Sequence, residues 1–412
     1  MKIYIMKHLL TLCLLLLSMS PMAQPTIKLP KNIYFVGCQT KQEGLFLVAN
    51  VPNLSEFEVK SYGSNNYLLG YVSESGEVAI DLKYRYAEPF KGDYARVGVG
   101  DDKNRKLGII NREGREVVVP KWDGCRYRKQ GRFSVQEGFG VDQKHGFVDS
   151  VGQIIAPIKY SIVGDFVDSL AFVAIGKYDE YVAPPMTTNN NPNNVGDLHG
   201  KYGFINCNGE EVIPLIYDYA GTFNNGYARV GINGNYYVRY GFIDNHGKCV
   251  VECKYFDAGT MVNGRAYVAR IIKGKPTYGF VDVHGEEVVP LKYRSAEPYD
   301  GNYALVSAFS DDGVCPYYYI DKLGNSVLPY PLYDVNNSGR YGHIAAAIKD
   351  SDGNLRYGLL DKYFRVVIPF EYDSITIFSE WDSKNNCWIE AGFVEKDGVS
   401  HSFTVYKANT SK

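Results

Sequence analysis

No charge of one sign dominates this chain: 44 Lys and Arg stand against 46 Asp and Glu, a formal net charge of -2 with charged residues at 22%. Such a balance offers no strong field to a polyanion the size of nucleic acid, and no nucleic-acid partner is expected. Tryptophan occurs three times, methionine six times and histidine seven times. No HExxH or HxxxH spacing, no Gly-x-Ser-x-Gly elbow and no Gly-x-x-x-x-Gly-Lys-Ser/Thr run is present. Zinc-peptidase, serine-hydrolase and P-loop chemistries therefore have no support, and neither a metal nor a cofactor is expected.

Long hydrophobic runs are also missing beyond the N-terminus, so no transmembrane segment is expected. The run from Leu9 to Leu17, which contains Cys13, follows Lys2 and Lys7 and precedes the short polar stretch Ser18 to Gln24. It is far below the roughly 20 residues that span a bilayer and reads as a secretory signal peptide over residues 1–23, with cleavage after Ser20 or Ala23. The expected address is the periplasm, cell surface or extracellular space. Cysteine is sparse too: beyond Cys13 there are Cys38, Cys125, Cys207, Cys249, Cys253, Cys315 and Cys387. Their number is odd, and Cys249 and Cys253 would lie about 13 Å apart on one strand, beyond disulfide reach. No disulfide framework is implied, although export permits an isolated bridge.

What the chain has in abundance is aromatic and small residues: 35 Tyr and 42 Gly in 412 residues, with hydrophobic residues at 45%. Tyrosine-rich composition favours strands over helices, and the length exceeds the roughly 250–300 residues of one core. Both point to an all-β repeat array. Segments beginning at Gly70, Gly108, Gly146, Gly203, Gly241, Gly279, Tyr318 and Gly358 align with a period of about 38 residues, broken once by an insertion near 177–200. Six residues after each start stands a glycine, from Gly76 to Gly324, with Phe364 the exception. Stretches such as Asp244-Asn245-His246-Gly247 predict a hairpin whose Asp caps backbone amides and whose Gly takes a positive φ. Pairs such as Val212-Ile213 lead to a proline, which should end a strand or sit at an edge. Fourteen residues after the start comes an aromatic: Tyr84, Trp122, Tyr160, Tyr217, Tyr255, Tyr293 and Tyr372, with Tyr333 displaced by one. Its recurrence predicts core packing rather than a ligand platform. Ala228 and Val230, with their counterparts, add strand alternation, so each unit should hold three or four short antiparallel strands.

Tyr240-Gly241-Phe242-Ile243-Asp244 followed by Gly247, and Tyr202 to Asn206 followed by Gly209 and Val212-Ile213-Pro214, resemble the bacterial WG-repeat (KWG-repeat) family. The resemblance covers Leu69 to Ile389, with Tyr-Gly standing in for Trp-Gly and the copies at Leu69 and Tyr318 departing further. It implies an exported or surface repeat protein and carries no catalytic residues to transfer.

The expected organisation is a signal peptide at 1–23, an N-terminal cap or closing strands at 24–68, eight WG-like repeats at 69–398 and a terminal strand and tail at 399–412. Two architectures bury such units, a β-propeller of seven to eight blades, which is favoured, and an open β-hairpin solenoid. Gly44 to Val48 resembles the last strand of a unit and Ser402 to Tyr406 the first, so the two could complete one blade and hide both edges.

In a repeat, residues present in every copy are scaffold, and a site should break the pattern. The pairs Glu210-Glu211 and Glu286-Glu287 occupy equivalent slots, which favours a structural role over glycosidase chemistry. The Asp-x-x-Gly turns supply one carboxylate each where calcium takes six to eight oxygens. The irregular segments are the insertion, with Tyr178, Tyr181 and an Asn-rich run to Asn194, the stretches Asp101 to Asn104 and Asp311-Asp312 near Cys315, and the stretch from Trp381 to Trp388. Tyr178, Tyr181, Trp381 and Trp388 are the candidate ligand-binding anchors. The expected function is non-enzymatic binding or scaffolding, with a surface glycan or another exported protein as ligand. The alternative is a propeller-based hydrolase of polysaccharide or peptide using loop carboxylates. Solution scattering tests the architecture: a closed ring should give a radius of gyration on the order of 22 Å, and a distinctly larger value with an elongated profile would establish the open array.

Overall fold

The computed structural model describes residues 27–36, 44–50, 67–178, 198–311, 313–336, 342–382 and 387–405. Residues 1–26, where a signal peptide is expected, the Asn-rich part of the insertion, the stretch 383–386 and the C-terminal tail lie outside the described residues. Two compact units divide the chain, Met1–Gly200 with Phe204–Glu211 and Lys201–Gly203 with Val212–Lys412.

The described elements are antiparallel strands, with one short 3-10 turn at Gly140–Asp142. They form tandem sheets, and one repeat is well represented by Tyr219–Ala220, Tyr227–Asn233, Val238–Asp244 and Cys249–Tyr255, paired in that order. In the first unit, Tyr86–Ala87, Tyr94–Val99, Lys106–Asn111 and Glu116–Trp122 repeat the arrangement. The structural unit thus starts just after one aromatic slot and ends at the next, so each sheet combines the latter part of one sequence copy with the first part of the following one. The sheet holding Asp257–Ala258 gains two further strands because Glu287–Ala296 runs unbroken through Tyr293 into the next copy. In that next copy, Ser326 to Leu332 replaces a regular fourth strand with isolated bridges, Tyr317 to Leu332 and Ile320 to Ser326, in keeping with its divergent sequence.

The terminal segments pair differently from the expectation. Leu45–Asn50 lies between Ile33–Phe35 and Leu68–Ser73, whereas Val399–Val405 pairs with Cys387–Lys396. Each completes a sheet with its sequence neighbours, because local hairpins supply the missing partners.

The predicted turn is present in detail. Gly247 has φ 79°, its N–H donates to the Asp244 carbonyl at 2.9 Å, and the Asp244 Oδ1 accepts from His246 N at 3.0 Å and Lys248 N at 2.9 Å. Asp149, Asn206, Asp282, Asp321 and Asp361 cap their turns in the same way. The exception keeps the geometry without the glycine: Phe364 has φ 62°. Its ring packs edge-on against Tyr303 at 4.9 Å and lies 4.7 Å from Tyr319, contacts that offset roughly 1–2 kcal/mol of left-handed strain.

The turn also rests on the preceding repeat. A Cβ on Gly209 would meet the Ile155 carbonyl oxygen at 2.0 Å, on Gly285 the Val250 oxygen at 2.9 Å, and on Gly247 the Ile213 side chain at 3.2 Å. Stacking of repeat on repeat therefore passes through this glycine.

The glycine that starts each copy has a different reason. Its φ is ordinary, but Tyr240 pairs with Tyr255 and Phe242 with Val251, so four residues of the last strand face two of its neighbour. The resulting bulge folds over Gly241, where a Cβ would stand 2.3 Å from the Val251 carbonyl oxygen and 2.7 Å from the Cys253 nitrogen. Gly70, Gly108, Gly146, Gly203, Gly279 and Gly358 lie under the same bulge, with backbone oxygens at 2.3–2.7 Å. The bulge lets Val251 and Tyr255 both face inward and tolerates proline at Pro157, Pro214, Pro290 and Pro369. Those prolines lie inside the strand that ends each repeat rather than terminating it, and at Pro157, Pro214 and Pro369 that strand is the edge of its sheet, as expected of proline.

Gly241→Ala should therefore cost about 3 kcal/mol or more, since its methyl meets fixed backbone. Gly247→Ala should cost less, roughly 1–2 kcal/mol for backbone strain. Denaturant titrations giving the reverse order would show that the bulge yields easily.

Candidate binding surface

The repeated residues that suggested chemistry turn out to hold repeats together. Tyr84, Trp122, Tyr160, Tyr217, Tyr255 and Tyr293 are buried, Tyr160 and Tyr255 completely, as expected for core. Tyr372, in the last such slot, is half-buried. The Tyr160 hydroxyl donates to Glu211 Oε1 at 2.9 Å and Tyr255 to Glu287 Oε1 at 3.0 Å. Each glutamate belongs to the copy that follows its tyrosine and also meets a cation, Lys159 at 2.7 Å or Arg270 at 2.6 Å. The Lys159 ammonium holds the Glu211 carboxyl below its ordinary range, the opposite of what a general acid requires. Burial and Glu287 push the Tyr255 hydroxyl up to about 12.

The pairing varies along this slot. Where the aromatic is Trp122, which has no hydroxyl, the residue two past the following turn glycine is Ile154 rather than glutamate. Where it is Tyr217, the counterpart is Cys249, whose own thiol is pushed up by burial. Tyr84 is a partial member: its buried hydroxyl has no hydrogen-bond partner among the described residues, although Glu116 raises its pKa electrostatically after burial.

His145 occupies the position held by Tyr202, Tyr240 and Tyr278 in other copies. Burial, then Arg128 and Arg126, push its pKa down to about 4, so it stays neutral near pH 7. Cys125, Cys207, Cys249, Cys253 and Cys315 carry free thiols. Among the described residues no group of His, Cys, Asp and Glu is arranged to hold a metal, and no helix is long and apolar enough to cross a membrane.

Of the sequence-nominated anchors, Tyr181 lies outside the described residues. Tyr178 ends the strand Leu170–Tyr178, on the hairpin side that leads into the insertion. Trp381 and Trp388 are direct cross-strand partners in the hairpin of Ser374–Asp382 and Cys387–Lys396. The structure therefore unites the two tryptophans in register, whereas nothing described brings them to Tyr178.

Sequence reading overlooked the hairpins that join the second and third strands of each repeat. Phe139 is 71% exposed, Tyr236 94% and Tyr237 42%. The sequence signal was Tyr236-Tyr237 at a point where the hairpins just before Gly108, Gly279 and Gly358 carry Gly, Asn or Lys. The Tyr237 ring is held edge-on against Phe256 at 5.0 Å, so it is presented in a fixed orientation.

The aromatic slot yields a three-way test. Tyr255→Ala should cost about 3–5 kcal/mol as a core truncation. Tyr255→Phe should cost about 1 kcal/mol for the lost donor to Glu287. Tyr84→Phe should be neutral or stabilising, because it removes an unsatisfied buried hydroxyl. A marked loss on Tyr84→Phe in denaturant titrations would mean that its hydroxyl has a partner after all.

The sequence profile described as WG containing repeat matches residues 70–101, 146–178, 202–236, 240–270, 278–307 and 357–380. No curated protein sequence matches the chain. Among solved structures, one from work on two prolyl endopeptidases is similar at 12% identity over 76% of this chain and 53% of that one, with a TM-score of 0.32. A eukaryotic initiation factor is similar at 10% identity over 84% of this chain and 89% of that one, TM-score 0.40. An acylaminoacyl peptidase of Pyrococcus horikoshii follows at 10% identity over 76% and 58%, TM-score 0.29. The chain spans a little over half the length of these peptidases, and likenesses at such TM-scores bear on neither activity nor ligand. The matched segments fall on the copies that carry the bulge-covered glycine and the capped turn, and the chain belongs to the WG containing repeat family.

Proposed function

We propose that this protein is an exported, non-enzymatic binding repeat protein whose scaffold presents irregular hairpins to a surface glycan or another exported protein. The observation that carries the reading is that the repeated acidic residues are engaged in the scaffold. Glu211 and Glu287 accept from the preceding copy's tyrosine, and the turn aspartates cap their own amides, while aromatic side chains stand exposed on hairpins between strands. Exposed tyrosine suits recognition, since its ring is rigid and its hydroxyl can hydrogen-bond. The basic and apolar N-terminal segment, Lys2, Lys7 and Leu9 to Leu17, supports export.

A screen of the purified protein against glycans, peptidoglycan, exported proteins and chromogenic substrates tests the proposal. Saturable binding without turnover is expected. Turnover abolished by one loop Asp or Glu substitution would establish the hydrolase alternative instead.

A further inference from the structure

Two successive hairpins of the second unit differ from the rest in what they expose. The first runs Ile232-Asn233-Gly234-Asn235-Tyr236-Tyr237-Val238-Arg239 and the second Arg270-Ile271-Ile272-Lys273-Gly274-Lys275. Neither contains a carboxylate. Arg239, Lys273 and Lys275 are exposed, as are Ile232, Ile271 and Ile272 at 41–47%. Arg270 is committed to Glu287 at 2.6 Å.

The two hairpins are physically continuous. Tyr237 stacks edge-on with Phe256, and the Phe256 N–H donates to the Ala269 carbonyl at 2.8 Å, one residue before the second hairpin. That hairpin turns tightly through Lys273 at φ 49° and Gly274 at φ 75°. Beyond it the Lys275 ammonium stands over Phe309 at 5.9 Å, and exposed Asp311 follows; the carboxylate nearest the first hairpin, Asp218, is engaged by the Asn233 N–H at 2.9 Å and by Lys201 at 2.7 Å. The result is a strip of rings alternating with cations, crossing from one repeat to the next.

We propose that this strip, formed by Tyr236, Tyr237, Phe256, Arg239, Lys273 and Lys275, binds an anionic polysaccharide laid along consecutive hairpins. The inference rests on the binding reading above and names its ligand class. Sugar rings present an apolar face to the exposed Tyr236 and the pinned Tyr237, while uronate or sulfate groups meet the three cations. Charge complementarity favours this occupant. A whole-chain charge of -2 makes the strip a local exception rather than part of a basic surface. Three cations fall short of the clusters of roughly 4–8 that hold proteins on membranes. A polymer, in contrast, gains from repeated contacts along its length.

Binding of the full mature chain is measured against alginate, heparin, neutral dextran and anionic phosphatidylserine vesicles at two salt concentrations. The expected result is salt-sensitive binding to the acidic polysaccharides, with dextran and vesicles unbound. Lys273→Glu with Lys275→Glu should weaken it at least about tenfold, and Tyr236→Ala by about three- to tenfold, both with unchanged melting since these side chains are exposed. Binding of acidic polysaccharide that survives both variants, or variant-sensitive binding to vesicles, overturns the strip while leaving the protein a binder. Capture only of dextran or of an exported protein also overturns the strip alone. No binding to any probe, together with turnover in the substrate screen, overturns both readings.

Discussion

The arrangement depends on one contact, the seating of each capped turn on the last strand of the repeat before it. A turn that is itself exposed would ordinarily tolerate most residues. Here the glycine must both adopt positive φ and leave no Cβ between two backbones, as the 2.0 Å approach to Ile155 at Gly209 shows. The capping aspartate fixes the turn from within by using its carboxylate on two amides. Local order is therefore converted into repeat-to-repeat order.

The bulge over the first glycine follows from the same demand. A regular last strand would alternate strictly, and Val251 and Tyr255, four residues apart, would share a face with the residue between them, leaving Cys253 directed inward as well. The two additional residues turn Cys253 partly outward and let Tyr255 reach the next copy, where Glu287 accepts its hydroxyl. The same slot sets Ile154 against Trp122, which has no hydroxyl, and Cys249 against Tyr217, while at Tyr84 the glutamate is present as Glu116 but takes no hydrogen bond from the buried hydroxyl.

Much of this was legible in the sequence, because repetition supplies its own control. The period, the capped turn and the buried aromatic each recur often enough to separate scaffold from accident, and the structure bears out all three. The meaning of the starting glycine was not legible, since a close approach between strands depends on a bulge that no local motif encodes. The location of the copy boundary was hidden for a similar reason: periodicity fixes the length of a unit but not where its sheet begins. The pairing of Leu45–Asn50 with Ile33–Phe35 escaped notice because that segment shares little of the repeat pattern. The candidate surface was only half legible. Trp381 and Trp388 stood out by residue type, whereas Tyr236 and Tyr237 were submerged among 35 tyrosines, most conspicuous for their regular slots.

These constraints also explain where variation can be used. The turn between the third and fourth strands is occupied by its neighbour, the last strand by the bulge and the aromatic slot, and the first strand by the chain's passage from one copy to the next. The hairpin between the second and third strands is free of all three. It can lengthen into the insertion after Tyr178, carry Tyr236 and Tyr237, or tighten to Lys273-Gly274 without disturbing a repeat contact. Recognition is therefore expected where the scaffold makes no demand, and the alternation of rings and cations across Arg239, Lys273 and Lys275 occurs at that position in adjacent copies.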